Sequence, residues 1–187
     1  VPAGTWGDEY TNAYDARTRG LDVVADHTTP LDAWGDVRWS LGLNWNKTTI
    51  EGTRDTPAAL VGSGVTLVGR DREGDLTQAS PKTKWILGAN WKVQDLAVNL
   101  QTARYGAVKT LAVNPTGDRS FGAKWITDLD VSYTFVDSIT VSIGGTNIFD
   151  VRPDRHAVYS NLGLAPYGNP PFYPGGGYWY TKLAYDF

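Results

Sequence analysis

The sequence predicts an all-β protein, an antiparallel up-and-down β-barrel that crosses a membrane with its strands. Three observations support this class. Apolar and polar side chains alternate within segments of roughly ten residues, which is typical of strands with one lipid-facing and one wet face. Short and long connections between these segments alternate strictly along the chain. Trp and Tyr number eight and ten against five Phe, and both favour the boundary between hydrocarbon and water.

The first four segments place apolar residues two positions apart, so that their side chains fall on one face of a strand. The opposite faces carry Asp, Arg, Asn and Ser, as expected where a strand meets water. The apolar sets are Leu21, Val23 and Ala25; Val37, Trp39, Leu41, Leu43 and Trp45; Trp85, Leu87, Ala89 and Trp91; and Leu96, Val98 and Leu100.

The last three segments continue the pattern, and the clearest runs from Trp125 to Phe135. The next has Ile139, Val141 and Ile143 on its apolar face, and the last has Trp179, Thr181, Leu183, Tyr185 and Phe187 on one face. No long stretch carries apolar residues at helical spacing, so no helix is predicted. Aromatic residues near strand ends are expected to form girdles at the membrane surfaces; they are Trp45, Trp85, Trp91, Trp125, Tyr133 and Phe135.

The connections assign sides, because bacterial outer-membrane barrels have short periplasmic turns and long outer loops. The short connections are Thr28 to Ala33, Lys92 to Asp95 and Val136 to Ser138. The long ones are Thr48 to Pro81, Gly106 to Ser120 and Asp150 to Gly177. Long loops often carry function, and the last one holds candidates for contact with a ligand: His156, Tyr159, Tyr167, Phe172 and Tyr173.

Composition argues against several other classes of protein. The absence of Cys excludes disulfide scaffolds, thiol catalysis and cysteine zinc sites. A net charge of -3 without any basic run disfavours a nucleic-acid partner. Neither His27 nor His156 has a partner at metal-ligand spacing, and no nucleophile or phosphate-binding motif occurs. The sequence therefore predicts no enzyme activity and no catalytic, metal or cofactor site.

Seven strands do not make a closed barrel, because bacterial single-chain barrels have even strand numbers. An open edge in lipid would leave backbone groups unsatisfied. We therefore expect residues 1–187 to be the C-terminal portion of a single, larger outer-membrane barrel domain. One alternative is a small complete channel or adhesin barrel, with an eighth strand within residues 1–15. Another is a soluble β-sandwich that binds carbohydrate through exposed Trp and Tyr.

The end of the chain resembles that of TonB-dependent outer-membrane receptors. Gly144 to Asp150 reads GGTNIFD and precedes Val151 to Asp154, which is similar to the xNxFD…P element before the final outer loop of that family. Tyr178 to Phe187 resembles the closing strand of the family. Within it, Trp179, Leu183, Tyr185 and Phe187 look like the C-terminal signal that the barrel assembly machinery reads. Thr181 departs from this signal, since an apolar residue is usual at its position.

Two upstream segments are also similar to this family. Asn12-Ala13 followed by Arg19 to Asp22 resembles the strand opening TNA…RGxE, with Asp22 where Glu is usual. Phe121 to Tyr133 resembles a strand of the form K…DxxxxY. The order of these motifs along the chain is more specific than any one of them.

The resemblance implies a barrel of about 22 strands with a plugged lumen, the plug lying upstream of these residues. It implies contact with outer-membrane lipid and import of a scarce small-molecule or glycan ligand, such as an iron chelate or cobalamin. Energy would come from a TonB-type coupling protein acting through the plug. Polar side chains of the inner face would hold the plug by hydrogen bonds and weak ion pairs; those predicted to face the lumen are Asp22, Arg38, Asn44, Asn90, Asn99, Asp128 and Asp130.

Overall fold

The computed structural model describes residues 12–57, 61–62, 66–136, 138–155 and 170–185. Its main feature is an antiparallel sheet of seven strands in the order β1-β2-β3-β4-β7-β8-β9, while β5 and β6 form a separate hairpin. The elements are β1 (Tyr14–Pro30), β2 (Asp36–Thr53), α1 (Arg70–Thr77), β3 (Thr83–Val93), β4 (Leu96–Tyr105), β5 (Val108–Thr110), β6 (Arg119–Phe121), β7 (Lys124–Phe135), β8 (Ile139–Thr146) and β9 (Tyr178–Tyr185). The predicted antiparallel up-and-down strands are confirmed.

The pairing register joins the seven apolar strand faces into one continuous surface. Residues directly opposite each other on neighbouring strands share a face of the sheet. The apolar pairs include Leu21 with Trp45, Leu43 with Trp85, Trp91 with Val98, Leu100 with Leu129, Val131 with Ile143, and Val141 with Leu183. The pairing of β1 with β2 has one register shift, between Asp15 and Ala16 near the start of β1. From Ala16 onward the register is continuous, so the apolar sets of the seven strands stay on one side of the sheet.

The apolar surface is exposed, and no second sheet covers it within the described residues. Trp179 and Leu183 are 64% and 72% exposed. A sandwich would bury this face against a partner sheet, so the arrangement does not support the carbohydrate-binding alternative. Over the same residues, β1 and β9 lie at opposite edges and do not pair, so the seven strands do not form a small closed barrel.

Large aromatic residues mark the apolar surface at two levels. We call Trp45, Trp85, Trp125 and Trp179 the outer aromatic belt, and Trp39, Trp91, Tyr133 and Tyr185 the inner aromatic belt. The two belts lie six residues apart on β2, β3 and β9 and eight apart on β7. At about 3.4 Å per residue this is roughly 20 to 27 Å along a strand. With the strand tilt of about 35 to 45° found in outer-membrane barrels, this corresponds to roughly 14 to 22 Å across the membrane, slightly less than their apolar band of about 25 Å.

The turn between β1 and β2 is short and depends on one glycine. Asp32–Trp34 forms one turn of 3-10 helix, and the amide of Leu31 donates to the carbonyl of Gly35 at 2.7 Å. Gly35 has a φ of 77°, and a Cβ there would overlap the carbonyl oxygen of Lys92. Glycine is therefore required both by the backbone conformation and by the approach of β3.

The first long loop is shorter than predicted, because β2 continues to Thr53 where the sequence indicated a loop from Thr48. With 17 and 18 residues, β1 and β2 exceed the 9 to 11 or so needed to cross a bilayer.

The expectation of no helix was wrong, since α1 lies within the loop that follows β2. Its sequence, RDREGDLT, has no apolar stripe; contacts with another loop hold it in place.

The first two long loops pack together into a small unit, the outer-loop subdomain, formed by α1, β5 and β6. Phe121, Val108 and Leu111 are its buried apolar residues, at 2%, 4% and 9% exposure. Gly74 of α1 lies against Leu111, and a Cβ on Gly74 would be 2.7 Å from the Leu111 side chain. The amide of Lys109 donates to the carbonyl of Gln78 at 3.0 Å. The predicted loop Gly106 to Ser120 thus contains ordered structure.

Among the described residues, no helix has the length and apolar character needed to cross a membrane.

Candidate functional site

The register places all seven predicted lumen-facing residues on the polar face of the sheet. Four of them form a row across four strands, with Arg38 opposite Asn90, Asn90 opposite Asn99, and Asn99 opposite Asp130. The remaining three belong to other rows of the same face: Asp22 lies opposite Asn44, and Asp128 lies opposite Gln101. That this face meets a lumen stays a prediction.

Two adjoining polar depressions lie along this row. The larger, of about 420 Å³, is lined by Arg38, Asn90 and Asn99 among others. The smaller, of about 180 Å³, contains Asn99, Asp128 and Asp130. Together they bring five of the seven predicted residues to one region, whereas Asp22 and Asn44 belong to neither depression.

Within this row, the two charged side chains form hydrogen bonds with other described side chains, whereas the side-chain amides of the two asparagines do not. Arg38 donates to Asp26 at 3.2 Å, and the hydroxyl of Tyr180 donates to Asp130 at 2.9 Å. The side chains of Asn90 and Asn99 are exposed and make no hydrogen bond with any described residue. Each amide can both donate and accept, so these two residues are suited to contact a polar partner.

The hydrogen bond between Tyr180 and Asp130 crosses over β8 and depends on Gly144. Gly144 lies opposite both residues in the register. A Cβ at Gly144 would overlap the Tyr180 ring and lie 2.8 Å from Asp130. The glycine therefore provides the space through which β9 is joined to β7.

An aromatic cluster lies at the outer end of the polar face. The ring centroids of Tyr105 and Phe172 are 5.6 Å apart, and the ammonium of Lys84 is 4.9 Å from the centroid of Tyr105. Tyr173, in contrast, is 78% exposed. Of the five residues predicted to contact a ligand, His156, Tyr159 and Tyr167 lie outside the described residues, so the structure brings only Phe172 to this rim.

Electrostatic contacts tie the two loops of the outer-loop subdomain together. The guanidinium of Arg70 donates to both carboxylate oxygens of Asp118, at 2.5 and 2.6 Å, and to the carbonyl of Ala112 at 2.7 Å. The ammonium of Lys109 lies 3.3 Å from the same carboxylate. The hydrogen bond from Arg70, aided by those from Ala112 and Lys109, holds the pKa of Asp118 well below its usual range, although partial burial opposes this shift.

A family model described as TonB dependent receptor-like, beta-barrel, matches residues 1–148. The chain belongs to this family. Its members are receptors and transporters rather than enzymes, and their barrels reside in the outer membrane of Gram-negative bacteria. The resemblance seen in the sequence motifs is thus confirmed. Among curated protein sequences, none matches the chain.

Solved structures similar to this TonB-dependent receptor chain include the pyoverdine outer membrane receptor FpvA from Pseudomonas aeruginosa PAO1 bound to pyoverdine. It is 18% identical, with a TM-score of 0.57 over 93% of this chain and 22% of that chain. The FpvAI–pyocin S2 complex is 15% identical, with a TM-score of 0.56 over 92% and 20%. At this identity the likeness concerns the fold, and this chain spans about a fifth of those receptor chains.

In this receptor chain, the GGTNIFD motif has a structural role at the base of the last loop. Asn147 is 4% exposed and has a φ of 51°. Its side chain donates to the carbonyl of Val151 at 2.8 Å and accepts from the Val151 amide at 2.9 Å. The Asn147 amide donates to Asp128 at 2.7 Å. The motif thus fixes the turn that leaves β8, and it engages one of the predicted lumen residues.

Asp150 of the same motif holds the start of β9. Its carboxylate accepts from the amide of Gly177 at 2.9 Å and from Arg152 at 3.3 Å. The hydrogen bond from Gly177, followed by that from Arg152, lowers the pKa of Asp150. The two ends of the last outer loop are therefore linked across 27 residues of sequence.

The predicted C-terminal signal lies on the apolar surface of β9, where Trp179, Leu183 and Tyr185 are all exposed. Phe187 lies outside the described residues. Trp179 packs over Gly145 of β8, whose Cβ position would be 2.9 Å from the indole ring. The role of these residues in assembly stays a prediction. Within the described ranges, no group of three or more His, Asp or Glu could hold a metal ion.

Several residues of this site were not identified from the sequence. Tyr180, Tyr105 and the pair Arg70 and Asp118 carry no local motif. Tyr180 alternates with the outward residues of β9, which was a usable signal for the polar face. The ion pair joins residues 48 positions apart, so no sequence spacing could indicate it.

Proposed function

We propose that residues 1–187 form the C-terminal portion of an outer-membrane receptor barrel that imports a scarce ligand with TonB-derived energy. One observation carries this proposal. The register divides the sheet into an exposed apolar face with two aromatic belts and a polar face with two depressions. Lipid against the first face and a plugged lumen along the second satisfy both surfaces.

In this proposal the polar row is a contact surface for the plug. Asn90 and Asn99 offer donors and acceptors that the described residues leave free. Arg38 and Asp130 are held in position by Asp26 and Tyr180. Exposed hydrogen bonds and ion pairs of this kind are individually weak. Weak contacts fit a plug that must shift when the coupling protein pulls on it.

The outer rim is the region proposed to meet the ligand. The rings of Tyr105 and Phe172 and the charge of Lys84 lie together at the mouth of the polar face. This combination suits an anionic or aromatic chelate through ion pairing and stacking. We propose an iron chelate, cobalamin or a glycan as the ligand class. One of the similar structures is a receptor with bound pyoverdine, but at 18% identity that likeness concerns the fold and does not select among these ligand classes.

Adjacent residues of β4 provide a direct test of which face meets lipid. Asn99 lies on the polar face and Leu100 on the apolar face, and both are exposed in the sheet. The chain has no Cys, so N99C and L100C introduce single thiols here, with any cysteine elsewhere in the receptor replaced. In reconstituted receptor, a water-soluble maleimide should spare L100C with or without the plug, and it should label N99C in a receptor variant that lacks the plug. Equal labelling of both would contradict the proposed orientation.

Transport is tested by uptake in a strain that lacks the receptor gene. Radiolabelled iron chelates, cobalamin and an oligosaccharide panel are compared with and without a protonophore. The expected result is saturable, protonophore-sensitive uptake of one ligand that returns with the wild-type gene. Uptake that persists after energy is removed would contradict TonB-driven import and favour a passive channel.

A further inference from the structure

Three cations lie on the apolar surface at its outer side. Arg19 and Lys47 are directly opposite each other on β1 and β2. They occupy the row just beyond Leu21 and Trp45, about 7 Å outside the outer aromatic belt. Arg104 lies within that belt, directly opposite Trp85 on β3 and Trp125 on β7. We call Arg19, Lys47 and Arg104 the cationic belt.

The cationic belt is not neutralised by the described residues. None of its three side chains has an ion pair within 4.0 Å in the described ranges. Like charges directly opposite each other across two strands repel. One row further out on the same face, Arg17 forms an ion pair with Glu51 at 3.0 Å. Arg19 and Lys47 differ from it in having no such carboxylate partner among the described residues. Arg19 and Lys47 therefore present two adjacent, exposed positive charges to which an external anion can bind.

The position of these cations identifies the kind of anion. An aromatic belt marks the level of lipid headgroups, and both Arg and Lys bind phosphate through charge-assisted hydrogen bonds. Below the cations, Leu21 and Val23 are 60% and 40% exposed. A molecule with a phosphate group and acyl chains would pair with Arg19 and Lys47 and cover these apolar side chains. A free phosphate ion would satisfy only the charges.

We propose that the cationic belt binds the phosphorylated headgroup of an outer-leaflet lipid. This inference rests on the proposed function, since it requires the apolar face to meet lipid. Arg19 and Lys47 hold one phosphate between β1 and β2, while Arg104 provides the third cation, at the level of the outer aromatic belt. The phosphate thereby offsets the charge repulsion between Arg19 and Lys47.

The test measures binding of bisphosphoryl lipid A to the full receptor in detergent by native mass spectrometry. R19Q/K47Q removes the opposed charges, and R17Q/E51Q is the matched control, since it removes a neutralised pair on the same face. We expect R19Q/K47Q to weaken binding about thirtyfold, equivalent to about 2 kcal/mol, from about 1 kcal/mol per cation near an anionic surface. We expect the control to change binding by less than about twofold.

A charge-preserving exchange, R19K/K47R, guards against loss of folding and should retain binding within about threefold. Unchanged lipid A binding by R19Q/K47Q, or equal losses in R19Q/K47Q and R17Q/E51Q, would overturn the inference. If L100C reacts with the water-soluble maleimide, the proposed orientation itself fails. If L100C is protected but lipid A binding is unaffected by R19Q/K47Q, only the lipid site fails.

Discussion

Replacing Phe121 with Ala should open the outer-loop subdomain without unfolding the barrel wall. Phe121 is the most buried large side chain of the described residues, at 2% exposure, and it lies on β6 opposite Val108. Truncation of a buried Phe to Ala costs about 3 to 5 kcal/mol, from lost burial and from the cavity left behind. The subdomain has few other buried apolar residues that could fill this cavity, so most of that cost should fall on its local stability.

Hydrogen exchange measures this local stability directly. The amide of Lys109 is a suitable reporter, because it donates to Gln78 and so joins the two loops. A loss of about 3 kcal/mol in the free energy of local opening raises the exchange rate by at least about a hundredfold. Amides in the centre of β4 should change by less than about twofold, because their bonds belong to the seven-stranded sheet.

Val113 provides the control, since it lies in the same loop but is 79% exposed. V113A should alter the opening free energy by no more than about 0.5 kcal/mol. If Lys109 exchanges in F121A at the wild-type rate, burial of Phe121 does not hold the subdomain together. If the β4 amides accelerate as much as Lys109, the subdomain is not a separate cooperative unit.

Three further predictions concern the last two strands. In chemical denaturation, G144A should lower the unfolding free energy by about 1 to 3 kcal/mol, because the added Cβ displaces Tyr180. G42A is the control and should be neutral, since its Cβ would meet only Ile86 at 3.7 Å. Equal effects of the two variants would refute the role of the Tyr180–Asp130 hydrogen bond. N147A should lower the unfolding free energy by about 1 to 3 kcal/mol in the same assay, because it leaves backbone groups of Val151 without their hydrogen-bond partner. A neutral result would show that the Asn147 side chain does not stabilise this turn. The pKa of Asp150 is lowered in the folded state. The stability that its carboxylate adds to the folded state is therefore present above its unfolded-state pKa of about 4, and it is lost as pH falls through the folded-state pKa. Exchange of the Gly177 amide, corrected for intrinsic rates, should therefore accelerate from pH 5 to pH 3 in the wild type, and D150N should abolish that extra acceleration.

The sequence alone determined the strands and their faces. Period-two alternation is a local property, since successive side chains of any strand point to opposite sides. Residues such as Leu43 and Asn44 could therefore be assigned to opposite faces without knowledge of their neighbours. This pattern excludes a slip by one residue, which would move every apolar side chain of a strand to the polar face, but it leaves a slip by two residues possible. The motif at Asn147 was also visible, although its hydrogen bonds were not.

The tertiary structure decided the contacts between distant loops and strands. Helix α1 has no apolar stripe, so nothing local predicts it, and it is held by Gly74 against Leu111 and by Arg70 on Asp118. The bond between Tyr180 and Asp130 joins residues 50 positions apart through the space at Gly144. Such contacts depend on which loops and strands become neighbours in the folded sheet. Alternation specifies the faces of a strand, but it carries no information about the partners of its loops.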